Sequence, residues 1–266
     1  MTEPEIRQSR ETATRLALVL EYDGTNYFGS QWQDNAATIQ GELEKALHKL
    51  TGEKLRIVAS SRTDTGVHAR GQVISFSTNS SLKVEAFVHG LNYHLPDDIA
   101  VKAAYRVKDS FRVRSMAVNR EYCYTILNSK VRSPILSRFT HRIPEQLDVD
   151  AMNKACQNLV GIHDFASFAS GIGDEPEKST IREVFRAKVE RESELIIFNI
   201  VANAFIRHQI RSTIGALVQV GLSKMSEAEF VGIMEAKKPG LAGPTLPSCG
   251  VCLIRVNYPC SFEEMR

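Results

Sequence analysis

Tryptophan, cysteine, net charge and long apolar runs are all scarce in this 266-residue chain, and each scarcity excludes something. No apolar run approaches the ~20 residues that a membrane-spanning helix needs, so a helical membrane protein is excluded. Five cysteines, an odd number in a long chain, do not make a secreted disulfide framework. The opening MTEPEIRQSRETATR lacks the apolar core of a secretory leader. A soluble, cytoplasmic protein with reduced thiols is expected. A hydrophobic content of 43% is ordinary for a folded chain and excludes wholesale disorder. The length fits one large domain or two modest ones, at roughly 150 residues per domain.

The small net charge, +2 from 33 Lys+Arg and 31 Asp+Glu, conceals an uneven distribution. Residues 102–142 carry ten basic side chains and only two acids, Asp109 and Glu121, giving +8 in the window and −6 elsewhere. Tyr105, Phe111, Tyr122, Tyr124 and Phe139 interleave the basic residues. Cations mixed with stacking rings suit a flexible polyanion with exposed bases, although a solvated basic strand and loop has the same composition.

Residues 1–14 are polar and read as a flexible arm. An apolar strand over 16–22 ends in the turn-forming pair Asp23-Gly24. Thr38 can cap a helix whose apolar stripe is Ile39, Leu43, Ala46, Leu47 and Leu50. Strands over 55–60 and 72–77, a helix over 84–93 and a strand over 99–107 complete a β-α-β-β-α-β order. The second half repeats that order with larger insertions. It has a strand over 120–128, a helix over 150–160 stopped by Gly161, strands over 182–191 and 194–202, and a helix over 204–220. A short helix opened by the capping box of Ser226 and Glu229 follows, then a last strand over 251–258. The expected fold is α+β: two ferredoxin-like halves, 15–107 and 108–266, with mainly antiparallel sheets joined into one extended sheet and a catalytic cleft at the junction.

Three stretches can carry chemistry. The connection over 60–71 (SSRTDTGVHARG) has about twelve residues where a hairpin needs two to five. It holds one carboxylate, Asp64, among Arg62, His68 and Arg70, with Gly66 free to take a positive φ. Asp64 could equally close an Asx-turn on its own backbone. Over 120–124 (REYCY), a strand projects Arg120, Tyr122 and Tyr124 on one face. That face could hold a phosphate and stack on a base; half-buried core tyrosines are the plainer alternative. In 203–211 (NAFIRHQIR), helical spacing aligns Ile206, Ile210 and Ile214 as a buried row and sets Arg207 and Arg211 together on the next face. Arg211 is expected to be partly buried and to need an anion, for which Asp64 is a candidate.

Other motifs carry less. Cys249 and Cys252, with Cys260 beyond, lack the four ligands of a zinc site and the helix of a redox motif, and read as coincidental. Gly171 and Gly173 fall in a polar flexible loop with no helix after it to bind a nucleotide. No metal site is expected.

Together these segments resemble the TruA family of tRNA pseudouridine synthases, from about residue 16 to residue 259. The family pattern GRTDAGVHA-x-GQV stands here as SRTDTGVHARGQV over 61–73, followed by Phe76. Around it lie Tyr22-Asp23-Gly24 with Tyr27, Thr38-Ile39-Gln40, Phe111 with Arg114, and Arg120-Glu121-Tyr122 with Tyr124. Gly161 with His163-Asp164-Phe165, Thr180 with Arg182, Asn203-Ala204-Phe205 leading to Arg211, and Val256-Asn257-Tyr258-Pro259 complete the match. Departures from it include Ser30, which stands where tryptophan is usual, with Trp32 two places on, Ser61, which replaces a glycine, and Gln209, which replaces a methionine.

The resemblance implies an isomerase that turns uridine into pseudouridine in the anticodon stem-loop, at tRNA positions 38, 39 or 40. It implies a cytoplasmic homodimer, with tRNA docked across both subunits and no cofactor. Asp64 would be the catalytic aspartate and Arg211 the arginine paired with it. Tyr122 would pack on the target uracil and is a candidate base for its C5 proton. Arg62 would hold the flipped nucleotide's place in the RNA, and Arg114, Arg120 and Tyr124 are further candidates for substrate binding. One carboxylate suits this reaction, because uracil leaves with its charge spread over ring carbonyls. A hydrolytic glycosidase needs two. The alternative is an RNA-binding or RNA-chaperone protein that keeps the scaffold without the reaction.

Overall fold

The structure, a computed structural model, describes residues 13–169 and 179–265. Residues 1–12 of the expected arm, and the loop with Gly171 and Gly173, lie outside these. The elements are β1 (Thr14–Tyr22), α1 (Ile39–Thr51), β2 (Val58–Ala59), β3 (His68–Thr78), α2 (Val84–His94), β4 (Ile99–Arg106), β5 (Asn119–Leu127) and β6 (His141–Arg142). They continue with α3 (Val149–Gln157), β7 (Gly161–Asp164), β8 (Ile181–Glu192), β9 (Leu195–Ala202), α4 (Gln209–Gly221), α5 (Glu227–Ala236) and β10 (Val251–Asn257).

The fold is α+β, and its strands form a single mixed sheet of ten. The order is β4-β1-β3-β10-β5-β9-β8-β7, with β2 on β3 and β6 on β5. Its pairings are antiparallel except β3 with β10 and β5 with β6. At the β3–β10 seam, Cys252 stands opposite His68 and Leu253 opposite Ala69. Strands from the two ends of the sequence thus meet in the middle of the sheet. Strand β1 is central, and Leu16, Ala17, Leu18, Leu20 and Tyr22 are all buried, as its nearly continuous apolar run requires. Helix α1 follows its stripe: Thr38 Oγ1 accepts from Gly41 N–H at 3.1 Å, and Ile39, Leu43, Ala46 and Leu47 are buried. The capping box of Ser226 and Glu229 opens α5 as expected. Among the described residues, no helix is long and apolar enough to cross a membrane.

Three expectations are corrected. The strand expected over 55–60 shrinks to β2, because Ile57 N–H donates to Glu44 Oε1 on α1 at 3.2 Å instead of to a neighbouring strand. Strand β3 starts at His68, where β10 and Tyr22 supply partners, so the irregular connection is 60–67 and not 60–71. Helix α4 starts at Gln209, not 204. His208 takes φ 64, which no helix interior admits, and side chains hold the segment before it. Asn203 Oδ1 accepts from Ala204 N–H at 2.7 Å, and Gln209 Oε1 accepts from Ile206 N–H at 3.0 Å. Ile206 and Arg207 therefore lie outside the helix, and the expected row and arginine pair do not share its faces.

Candidate active site

The loop over 60–67 is fixed from three sides at Thr63, the residue before Asp64. Thr63 N–H donates to Ser30 Oγ at 2.8 Å, and Ser30 N–H donates to Thr63 O at 3.0 Å. The Thr63 and Tyr22 hydroxyls meet at 2.8 Å. Gly66 takes φ +74, a conformation that L side chains avoid, and its N–H donates to Tyr27 O at 3.2 Å. Thr63 is buried and Asp64 is 38% exposed, so the carboxylate stands on a rigid base and faces outward. Below the loop, Gly24 N–H donates to His68 Nδ1 at 3.1 Å, which favours the neutral imidazole. Asp23 Oδ1, also 3.1 Å from that nitrogen, favours protonation, but burial outweighs it and holds the His68 pKa below 6.5.

Asp64 opens into a cleft of about 940 Å³ that runs between this loop, Tyr122 on β5 and the segment 204–211. His208 Nε2 lies 3.5 Å and Arg211 Nη1 4.0 Å from Asp64 Oδ2. Arg211 is anchored by its Nε, which donates to Leu246 O at 2.6 Å. Burial lowers the His208 pKa below 6.5, Asp64 pulls it up, and Arg211 and Arg207 push it down again. Across the cleft, Tyr122 is only 4% exposed, with its ring edge-on to Phe205 at 5.1 Å and its hydroxyl 2.9 Å from Ser61 Oγ. Burial pushes its phenol up to about 12. Arg62, Arg114, Arg182 and Arg207 add positive charge to the lining. Arg114 is steadied by its Nε bond to Ala59 O at 2.9 Å, and the neighbouring charge of Arg62 reinforces burial in lowering its pKa.

The strand face Arg120-Tyr122-Tyr124 exists as expected, but its members do different things. Arg120 is 8% exposed and donates to four carbonyls: Ala117 and Asn203 through Nη1, Ser60 and Arg114 through Nη2. A guanidinium so occupied ties the loop, β5 and the segment after β9 together and is not presented to a phosphate. Tyr124 is fully buried and donates its hydroxyl to Pro247 O at 2.9 Å, so it belongs to the core and not to the cleft. The sulfurs of Cys249 and Cys252 diverge: Cys249 donates to Thr140 O at 3.5 Å, while Cys252 stands opposite Cys123 across β5 and β10. Among the described residues, no group of His, Cys, Asp and Glu could hold a metal ion.

Sequence reasoning did not single out His208, Arg182 or Phe205 as site residues. His208 carries no spacing signal, because its left-handed backbone is set by Asn203 and Gln209. Three departures from the family pattern were the one legible hint. Ser30, Ser61 and Gln209 each place a hydrogen-bonding group beside the loop, Tyr122 or the turn before α4.

The family described as tRNA pseudouridine synthase matches residues 18–114 and 155–259. A tRNA pseudouridine synthase A of Roseiflexus castenholzii is 41% identical over 248 residues, 92% of this chain and 90% of its own. One from a Thermoanaerobacter species is 43% identical over 242 residues, covering 91% of this chain and 98% of its own. One from Pelobacter propionicus is 41% identical over 243 residues, covering 91% and 99%. With a family model matched over most of its length and relatives above 40% identical over nine-tenths of it, the chain belongs to the tRNA pseudouridine synthase family.

Proposed function

We propose that the chain isomerises uridine to pseudouridine in the anticodon stem-loop of tRNA, at one or more of positions 38, 39 and 40, with Asp64 as the catalytic carboxylate. The observation that carries this reading is the setting of Asp64: one carboxylate on a rigid loop, flanked by His208 and Arg211, facing Tyr122 in a cleft lined with arginines. The reaction breaks the C1′–N1 bond, turns the base and joins C5 to C1′. Asp64 acts at the sugar, either attacking C1′ or removing a ribose proton to give a glycal. Arg211 orients the carboxylate. Tyr122 packs on the extruded uracil, while Arg62 and Arg114 hold the RNA around the vacated place. No cofactor enters, since every atom of the product comes from the same nucleotide and solvent protons.

The same reading extends to architecture. The order β4-β1-β3-β2 recurs as β10-β5-β9-β8, which supports two ferredoxin-like halves, 15–107 and 108–266, with the cleft at their junction. It also takes in a cytoplasmic homodimer that shares one tRNA. Incubation with unmodified tRNA followed by chemical mapping of pseudouridine tests the reaction and the position together. Asp64→Ala should abolish the product and leave RNA binding nearly intact; retained turnover overturns the assignment of Asp64.

A further inference from the structure

Among the described residues, the Tyr122 hydroxyl has one side-chain hydrogen-bond partner, Ser61 Oγ at 2.9 Å. Ser61 is itself held in place: Gln72 Nε2 donates to its carbonyl at 2.8 Å, and Gln72 Oε1 accepts from Ser60 Oγ at 2.9 Å. Gln72 is 1% exposed, so this support is rigid, whereas Ser61 is half-exposed and lines the cleft. A neutral phenol is a poor base when it acts alone, because accepting a proton leaves an oxonium. It becomes an effective one when a neighbour removes its own proton in the same motion.

We propose that Ser61 is a positioning residue that acts through Tyr122: it orients the phenol and relays the C5 proton of the turned uracil to solvent. The inference rests on the isomerisation proposed above. After C5 has bonded to C1′, the proton on C5 passes to Tyr122 Oη as the phenol's proton passes to Ser61 Oγ and the serine's proton passes to a water in the cleft. The electron pair of the broken C–H bond forms the C5–C6 double bond as the C6=N1 pair moves onto N1. Tyr122 and Ser61 end neutral, and the N1 freed earlier takes a proton from solvent, so the exchange balances. Without a hydroxyl at position 61, the phenol loses this partner.

The test uses the full-length protein and unmodified tRNA transcripts carrying uridine with either hydrogen or deuterium at C5, followed to pseudouridine in single-turnover reactions. Ser61→Ala and Ser61→Gly should slow product formation by roughly a hundredfold, the lower end of the range for a proton-transfer group. Both should raise the C5 isotope effect above that of the unaltered protein and leave the RNA Kd within about twofold. Ser61→Thr, which keeps the hydroxyl, should restore the rate and the smaller isotope effect. Wild-type rates and isotope effects in Ser61→Ala and Ser61→Gly overturn the proposal. So does a slowing that comes with weaker RNA binding and an unchanged isotope effect, the signature of packing alone. A wild-type protein that forms no pseudouridine overturns the reaction itself, which is a different failure from a normal wild type with indifferent variants.

Discussion

Arg211 meets Asp64 with one edge of its guanidinium only: Nη1 lies 4.0 Å from the carboxylate, while Nε is spent on Leu246 O at 2.6 Å. The arginine is thereby fixed before any substrate arrives, and the charge it offers Asp64 does not have to search for its place. Preorganisation of this kind is what the proposed action of Asp64 at a sugar carbon calls for.

Arg211→Lys keeps the charge and loses the fork that anchors it. Single-turnover pseudouridine formation should fall by about one to two orders of magnitude, and the RNA Kd should change by no more than a few-fold. An equal loss in both would make Arg211 an RNA contact and not an orienting group for Asp64.

Ser30→Ala removes the acceptor of Thr63 N–H in a buried setting. An unsatisfied buried donor costs about 1–3 kcal/mol, which urea unfolding will read directly. Since Thr63 precedes Asp64, the rate should drop as well. A variant as stable and active as the parent would show that the loop does not depend on this clip.

Arg120 and Arg62 should separate cleanly in salt titrations of RNA binding. Arg62→Ala should reduce the slope of log K against log salt by about one, as one lost phosphate contact does. Arg120→Met should leave the slope alone and instead lower stability by at least about 2 kcal/mol, because four carbonyls lose their donor. A reduced slope for Arg120→Met would return it to the RNA surface.

Gly24→Ala should damage the protein through the loop that carries Asp64. A Cβ there would sit 2.0 Å from Val67 O, inside the backbone of the catalytic loop. Either the loop moves and turnover falls, or the fold loses about 1–3 kcal/mol, the usual penalty for overpacking. Thermal melting and product assays run side by side would reveal a tolerated alanine, which this contact forbids.

His68 and His208 both titrate below 6.5 in the folded protein, chiefly through burial. In the unfolded chain they return to about 6.5. Below that pH the unfolded chain binds more protons than the folded one, so stability is full above about 6.5 and is lost as pH falls through the two lower folded values. The urea midpoint should therefore decline from about pH 7 to about pH 5. A flat or rising midpoint over that range would mean that the two imidazoles accept protons in place.

Much of this protein was legible in its residues. Strand β1, helix α1 with its Thr38 cap, and α5 with its capping box obey local rules of periodicity and capping, which need only near neighbours. The loop around Asp64 stood out because a lone carboxylate among arginines, with Gly66 behind it, is a local signal too. Even the shared face of Arg120, Tyr122 and Tyr124 followed from strand alternation. What that face meets was not legible. Tyr122 reaches the cleft and Ser61, Tyr124 meets Pro247, and Arg120 meets the carbonyls of Ser60 and Asn203, because partners distant in sequence supply those groups. The left-handed turn at His208 is likewise decided by Asn203 and Gln209, whose side chains take backbone bonds that a helix would otherwise claim. The sequence by itself determined most of the helices and strands and pointed to Asp64 as the candidate carboxylate. Only the packing of β3 against β10, and of 203–211 over the loop, decided what surrounds Asp64, since a side chain's role depends on the groups that long-range contacts bring within hydrogen-bond reach.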